Sequence, residues 1–300
     1  MEKKKTNTKE LISSSWHRLP IVIRAILTGF AVSTLGVATW ALMGTTLPLP
    51  WPFILMIAFL WAYLRFFSGH WGSEKGRKKR ASLFRRTRLP RQIWILSLLA
   101  AALIVLIEQS GLIVTFRILE FPAERFLVEY DFVNALPTWV AWLVVIMISV
   151  VAGICEETGF RGYMQLPLEK RYSPVLSIAI VSLVFVLVHL HQAWSGPVLL
   201  PIFLISVLFG SIAYFSGSLI PGIIAHIVMD IFNFSFWWTD LGGQFHRKTI
   251  HQTGMDSHFI LWTLVLVLSV TLFIVILRKI AQQTRPRNLT QASGKSLLAI

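Results

Sequence analysis

Eight long apolar stretches divide the chain, at about 20–46, 51–67, 92–110, 137–168, 174–191, 196–215, 219–238 and 259–278. An apolar run of roughly 18 residues or more with few charges reads as a transmembrane helix. Composition closes off the soluble alternatives. Only 14% of the residues are charged and 55% are hydrophobic, against about 25% charged in an ordinary soluble domain. A soluble chain this apolar could not cover its surface with polar side chains. It is also too hydrophobic for disorder. Cys155 is the only cysteine, so no disulfide framework is available. The expected fold is all-α: a polytopic integral membrane protein of about eight transmembrane helices.

The formal net charge of +14 would suggest nucleic acid in a soluble protein. Its location argues otherwise. Nine of the 28 Lys and Arg lie between Lys75 and Arg91, five precede residue 20 and five follow residue 277. These are loops and tails beside apolar spans, the positive-inside pattern. The 75–91 cluster also lacks the aromatic platform that strand binding requires, so no nucleic-acid partner is expected. A cytoplasmic N-terminus makes the loops alternate consistently and puts the C-terminus in the cytoplasm too. The inner side then holds the 68–91 loop and the turns at 169–173 and 216–218, with about 22 basic residues. The outer side holds 111–136 and 239–258, with Arg117, Arg125, Arg247 and Lys248. The 75–91 loop is expected to contact anionic lipid headgroups.

Four regions follow: a cytoplasmic tail at 1–19, an N-terminal transmembrane region at 20–136, a core at 137–238, and an outer loop, last span and basic tail at 239–300. Segment 111–136 mixes apolar residues with Glu120, Glu124, Arg125, Glu129 and Asp131 and is read as an amphipathic interfacial helix. His191, His246, His251 and His258 fall in outer loops or at span ends and are read as solvated.

A charge at the centre of a membrane helix costs at least about 2.5–3.5 kcal/mol on insertion scales, so intramembrane ionisable groups are functional candidates. Here they cluster in the core: Glu156, Glu157 and Arg161 in the fourth span, His189 in the fifth, His226 and Asp230 in the seventh. Glu108, near the outer end of the third span, reads as an interfacial carboxylate. Glu157 and Arg161 are i and i+4 in the favourable ion-pair order. Glu156 points about 100° away around the helix and is left as the candidate general base. Phe185 and His189 share one face; His226, Asp230 and Asn233 share another.

Depth supports a meeting of these groups. Glu156 lies 15 residues before Arg171 and His189 lies 18 after it, about 22 and 27 Å from the shared turn at 1.5 Å per residue. His226 lies only eight residues past Ser218, roughly 12 Å of helix. Either the seventh span begins deeper or it is tilted.

Glu156-Glu157-Thr158-Gly159-Phe160-Arg161 matches EExxxR, Phe185-Val186-Leu187-Val188-His189 matches FxxxH, and His226-Ile227-Val228-Met229-Asp230 matches HxxxN/D. In this order on three spans, the motifs resemble the CPBP family of intramembrane proteases, which includes the type II CAAX prenyl endopeptidases and bacteriocin-processing, lysostaphin-resistance-like proteins. The resemblance implies an intramembrane endopeptidase acting on a membrane-associated protein or peptide. Glu156 would activate water and His189 would hold it. His226 and Asp230 would stabilise the oxyanion, and Glu157, Arg161 and Phe185 would support them. An ionised Asp230 cannot donate a hydrogen bond as an Asn could. It would have to be protonated, orient His226 or bind a metal, and Asn233 one turn on could donate instead.

Two versions of the chemistry stay open. Glu156, His189 and His226 are residues of the type that bind a divalent metal such as Zn, leaving a position for water. The same residues serve a metal-free mechanism with no cofactor. The main alternative function is a non-catalytic immunity or scaffold protein of the same fold. A transporter or proton relay is a third reading, but no internal repeat supports it. The compact span set and short loops point to a bacterial plasma membrane.

Overall fold

The computed structural model describes residues 16, 18–120, 131–190, 196–240 and 247–296. Among the described residues every regular element is helical. We number the main helices α1 (Ile21–Thr46), α2 (Trp51–Phe67), α3 (Glu74–Leu83), α4 (Arg91–Ile118), α5 (Thr138–Glu156), α6 (Pro174–Val188), α7 (Gly196–Ser216), α8 (Ile220–Trp238) and α9 (Ser257–Ser296). All but α3 coincide with an expected apolar stretch. The hydropathy does not make them equal. Among the described residues, five helical stretches are long and apolar enough to cross a membrane: Ile21–Thr46, Arg91–Ile118, Thr138–Glu169, Leu199–Ser216 and Ser257–Thr284. Three are shorter: Trp51–Phe67, Pro174–Val188 and Ile220–Phe236. At 17 residues, α2 is about 25 Å long, less than the roughly 30 Å of a hydrocarbon core.

The segment 111–136, read as an interfacial helix, is described only in part. Its first part continues α4 as far as Ile118, and a short turn spans Asp131–Asn134. Residues 121–130, with Glu124, Arg125 and Glu129, lie outside the described residues, as do His191 and His246. The apolar run of α4 carries its helix through Gln109 and Ser110, both buried against neighbours, so the polar residues there do not end it.

The elements assigned to one side by charge do gather at one end of the bundle. Arg85 pairs with Glu169 at 2.7 Å and donates from Nε to the Arg161 carbonyl. Thr87 donates to the Gly217 carbonyl. Trp16, Lys79 and Lys170 line one surface cavity. Arg85 is therefore a buried clamp, although it belongs to the basic loop.

At the opposite end, Arg117 is 1% exposed. It donates to both carboxylate oxygens of Asp256, to Thr253 and to the Lys248 carbonyl, and lies 3.0 Å from His258 Nδ1. His258 thus belongs to this staple and is not simply a solvated loop residue. Hydrogen bonds from Arg117 hold the Asp256 carboxyl well below the usual carboxylate range, and the backbone N–H of Phe259 adds to this.

The feature that organises the core is a change of helix type. After Glu156, α5 widens into a nine-residue π-helix, Glu157–Gln165, and then closes with Leu166–Glu169. π-helical turns are rare and concentrate at functional sites. Every residue of this one is buried. Helix α1 crosses it at backbone distance: a Cβ on Gly159 would lie 2.5 Å from the Gly29 carbonyl oxygen, and one on Gly29 would lie 2.7 Å from the Gly159 carbonyl oxygen. No larger residue fits either position without moving a helix. Gln165 donates to the Gly210 carbonyl and to Glu169, tying the end of the π-helix to α7.

Candidate active site

Glu156 and Glu157 stand at the junction of α-helix and π-helix, and the junction sends them to different places. Glu156 is half-buried and faces a cavity of about 340 Å³. Glu157 is 0% exposed and points away from that cavity, into the protein. The expected angular separation of the two carboxylates therefore holds.

Glu157 does more than pair within its own helix. Its Oε1 is 3.0 Å from the Arg161 guanidinium, as the i,i+4 spacing predicts, and 3.0 Å from His226 Nδ1 on α8. A carboxylate oxygen only accepts, so His226 Nδ1 donates. That bond fixes the ring, and its Nε2 lies 3.6 Å from Asp230 Oδ2, beyond hydrogen-bond length but close enough to orient the charge. Phe209 stacks on the imidazole at 4.9 Å and 14°. Gly222 leaves room behind Glu157: a Cβ there would be 3.1 Å from Glu157 Oε2.

Arg161 is likewise fully enclosed. It donates to the Ser206 hydroxyl and carbonyl on α7, and its guanidinium lies over the rings of Phe185 (4.8 Å) and Phe209 (5.3 Å), a favourable arrangement for a desolvated cation. Phe185 contacts His189 with its ring at 4.3 Å. The aromatic residue of the second motif therefore separates the buried Arg161 from the cavity histidine.

His189 caps the end of α6, where the backbone leaves the helix at φ −101°. Its Nδ1 is 2.7 Å from the Phe185 carbonyl. A carbonyl accepts only, so Nδ1 carries the hydrogen, and in the neutral ring Nε2 is the acceptor nitrogen.

The depth of His226 has a clear cause. The turn before α8 is itself buried: Ser216, Ser218 and Leu219 are 5%, 2% and 1% exposed. Leu219 packs against Gly162 of the π-helix. From that contact, Glu156 is six residues back along α5 and His226 is seven residues forward along α8, a similar rise on both. The seventh span begins deep, and the basic loop folds over its start through Thr87.

The cavity lining brings together Glu156, His189, His226, Asp230 and Asn233, with Phe185 and Phe209 among the apolar walls. All four residues expected to be catalytic are thus on one cavity. Glu157 and Arg161 lie beneath it. Glu156 Oε2 and Asn233 Oδ1 are buried without a hydrogen-bond partner among the described residues. Sequence reasoning named Glu108 but missed it as a site residue; it also lines this cavity. The signal was there: Glu108-Gln109-Ser110 is a polar triplet inside an apolar run. Phe209 and Ser206 carried no signal, because nothing in a sequence marks one aromatic or one serine of α7.

Residues 137–232 match the family model of the type II CAAX prenyl endopeptidase Rce1-like proteins. Over this segment the chain is similar to the CPBP family. No curated protein and no solved structure gives a match to the chain. The CPBP match covers all three motifs and stops short of α1–α4, so it says nothing of Glu108. CPBP proteins are a protease family, which agrees with a cavity that presents a carboxylate beside histidines. The side chains do not fit the metal version of the chemistry. Among the described residues no group of three His, Cys, Asp or Glu stands close enough to hold an ion, and His226 Nδ1 is already committed to Glu157. Glu156, His189 and His226 share a cavity but do not form a coordination shell.

Proposed function

We propose that the protein is an intramembrane endopeptidase that hydrolyses a peptide bond of a membrane-associated protein or peptide with Glu156 as general base. One observation carries the reading. Two helices that run antiparallel from the Lys170–Ser173 turn present Glu156 and His189 to the same largely apolar cavity, which also receives His226, Asp230 and Asn233. Glu156 takes a proton from water as the oxygen attacks the carbonyl carbon, and that proton then passes to the leaving amine. His189 Nε2 accepts a hydrogen bond and holds the water. The Asn233 amide, and His226 once oriented by Glu157 and Asp230, face the developing oxyanion. Asp230 acts through His226 and does not donate itself. The bundle spans a bacterial plasma membrane with its basic end in the cytoplasm, where the 75–91 loop meets anionic headgroups.

The test is cleavage of a library of membrane-embedded peptides by the purified, reconstituted protein, with Glu156→Gln alongside. Cleavage by the wild type alone supports the reading. Cleavage by both removes Glu156 from the role of base. Cleavage by neither favours a non-catalytic scaffold or immunity protein of the same fold.

A further inference from the structure

One wall of the cavity comes from outside the matched segment. Helix α4 contributes Glu108 and Leu112, one turn apart on one face. Glu108 Oε2 is buried and has no hydrogen-bond partner among the described residues. Among the described residues the cavity therefore carries three carboxyl groups, on Glu108, Glu156 and Asp230, and no Lys or Arg lines it. The buried cation Arg161 lies behind Phe185 and Phe209 and is engaged by Glu157 and Ser206.

A carboxyl group out of water needs a partner, and one left without it is costly. The described residues supply none to Glu108 Oε2, which leaves that oxygen for a partner carried by the occupant. An anionic group, such as a free chain terminus, would meet three acids. A neutral amide would satisfy one oxygen. An ammonium or guanidinium group carries several donors and matches the sign of the whole lining. A basic side chain inside a membrane cavity pairs with acids in this way.

We propose that Glu108 is the specificity-determining residue of the cavity, and that it receives the basic side chain of a lysine or arginine next to the scissile bond. The proposal rests on the protease reading above and names its substrate class. Glu108 binds substrate and takes no part in moving the proton to the leaving group.

The test uses a reconstituted protein and three fluorogenic transmembrane peptides that differ at one position beside the cleaved bond: lysine, norleucine or glutamate. Norleucine has the lysine stem without the charge. The wild type is expected to favour lysine over norleucine about tenfold or more in kcat/KM, with glutamate the poorest. In Glu108→Gln the lysine-to-norleucine ratio falls towards one, and in Glu108→Asp part of it returns. A wild-type ratio of one or less overturns the proposal by itself, whatever the variants do. So does an unchanged ratio in a folded Glu108→Gln protein. Equilibrium binding of the lysine and norleucine peptides to Glu156→Gln, with and without Glu108→Gln, separates the two levels. Cleavage without a lysine preference keeps the protease and loses the role of Glu108. A Glu108-dependent binding preference with no cleavage by any variant keeps the lysine site and loses the protease.

Discussion

The cavity and the layer beneath it use the same residue types to opposite ends. Beneath, Glu157 meets Arg161 and His226, and Arg85 meets Glu169 and the Arg161 carbonyl. These groups are out of water and hold one another in place. Above, the buried Oε2 atoms of Glu108 and Glu156 have no hydrogen-bond partner among the described residues; Glu157 also keeps its Oε2 unpartnered, but its Oε1 is held by both Arg161 and His226. Adjacent glutamates on one helix thus have different work. A paired buried carboxylate fixes geometry, and an unpaired one facing a cavity is held ready for what enters. The division follows from the helix junction at Glu156, which turns the first carboxylate to the cavity and the second to Arg161.

The contrast can be broken most sharply at Glu156. Glu156→Gln is expected to lower cleavage about 10²–10⁴-fold while the thermal unfolding midpoint in detergent barely moves. A large loss of stability would mean that Glu156 belongs to the supporting layer.

The next effect is the reverse. Glu157→Ala leaves Arg161 buried without its countercharge and removes the acceptor of His226. Breaking one side of such a pair costs about 3–5 kcal/mol, read as a fall in the unfolding midpoint. Activity falls with it, because His226 loses its orientation. Full activity with normal stability would contradict the bridging role.

A smaller effect tests the base on which both regions rest. Gly159→Ala drives a methyl group into the Gly29 carbonyl and is expected to cost about 1–3 kcal/mol, measured by denaturation in detergent. Gly44, with nothing near its Cβ position, is the control and should tolerate alanine.

The smallest effect lies at the far end, in the Arg117 staple. Folding lowers the Asp256 value, so its contribution is present at neutral pH. It is lost as the pH falls through the ordinary Asp range, about 3.9, towards the depressed folded value. Asp256→Asn should lower the midpoint slightly at pH 7, and the gap from wild type should close on acidification. A gap that is constant with pH would show that the staple does not act through charge.

Much of the fold was legible because the signal is local. Apolar runs placed the spans; α1, for example, runs Ile21–Thr46 where 20–46 was expected. Spacing of four residues foretold the Glu157–Arg161 pair, and counting from the Lys170–Ser173 turn placed Glu156 and His189 at depths where both line one cavity. Hydropathy could not grade the spans, and three of the eight apolar helices are short. It also ended the third span too early and missed where the seventh begins, since a buried turn and an exposed one share a composition. Arg85 and Arg117 counted as loop charge, yet both are buried clamps.

The sequence by itself determined an all-helical membrane protein, its apolar spans, and the ordered acids and histidines of its core, because helical periodicity and hydropathy depend on neighbours along the chain. Only the tertiary structure decided that Glu157–Gln165 is π-helical, that Glu157 joins Arg161 to His226, and that Glu108 completes the cavity. Those facts depend on close crossings such as Gly29 on Gly159, which bring together residues more than a hundred positions apart, and no local pattern encodes them.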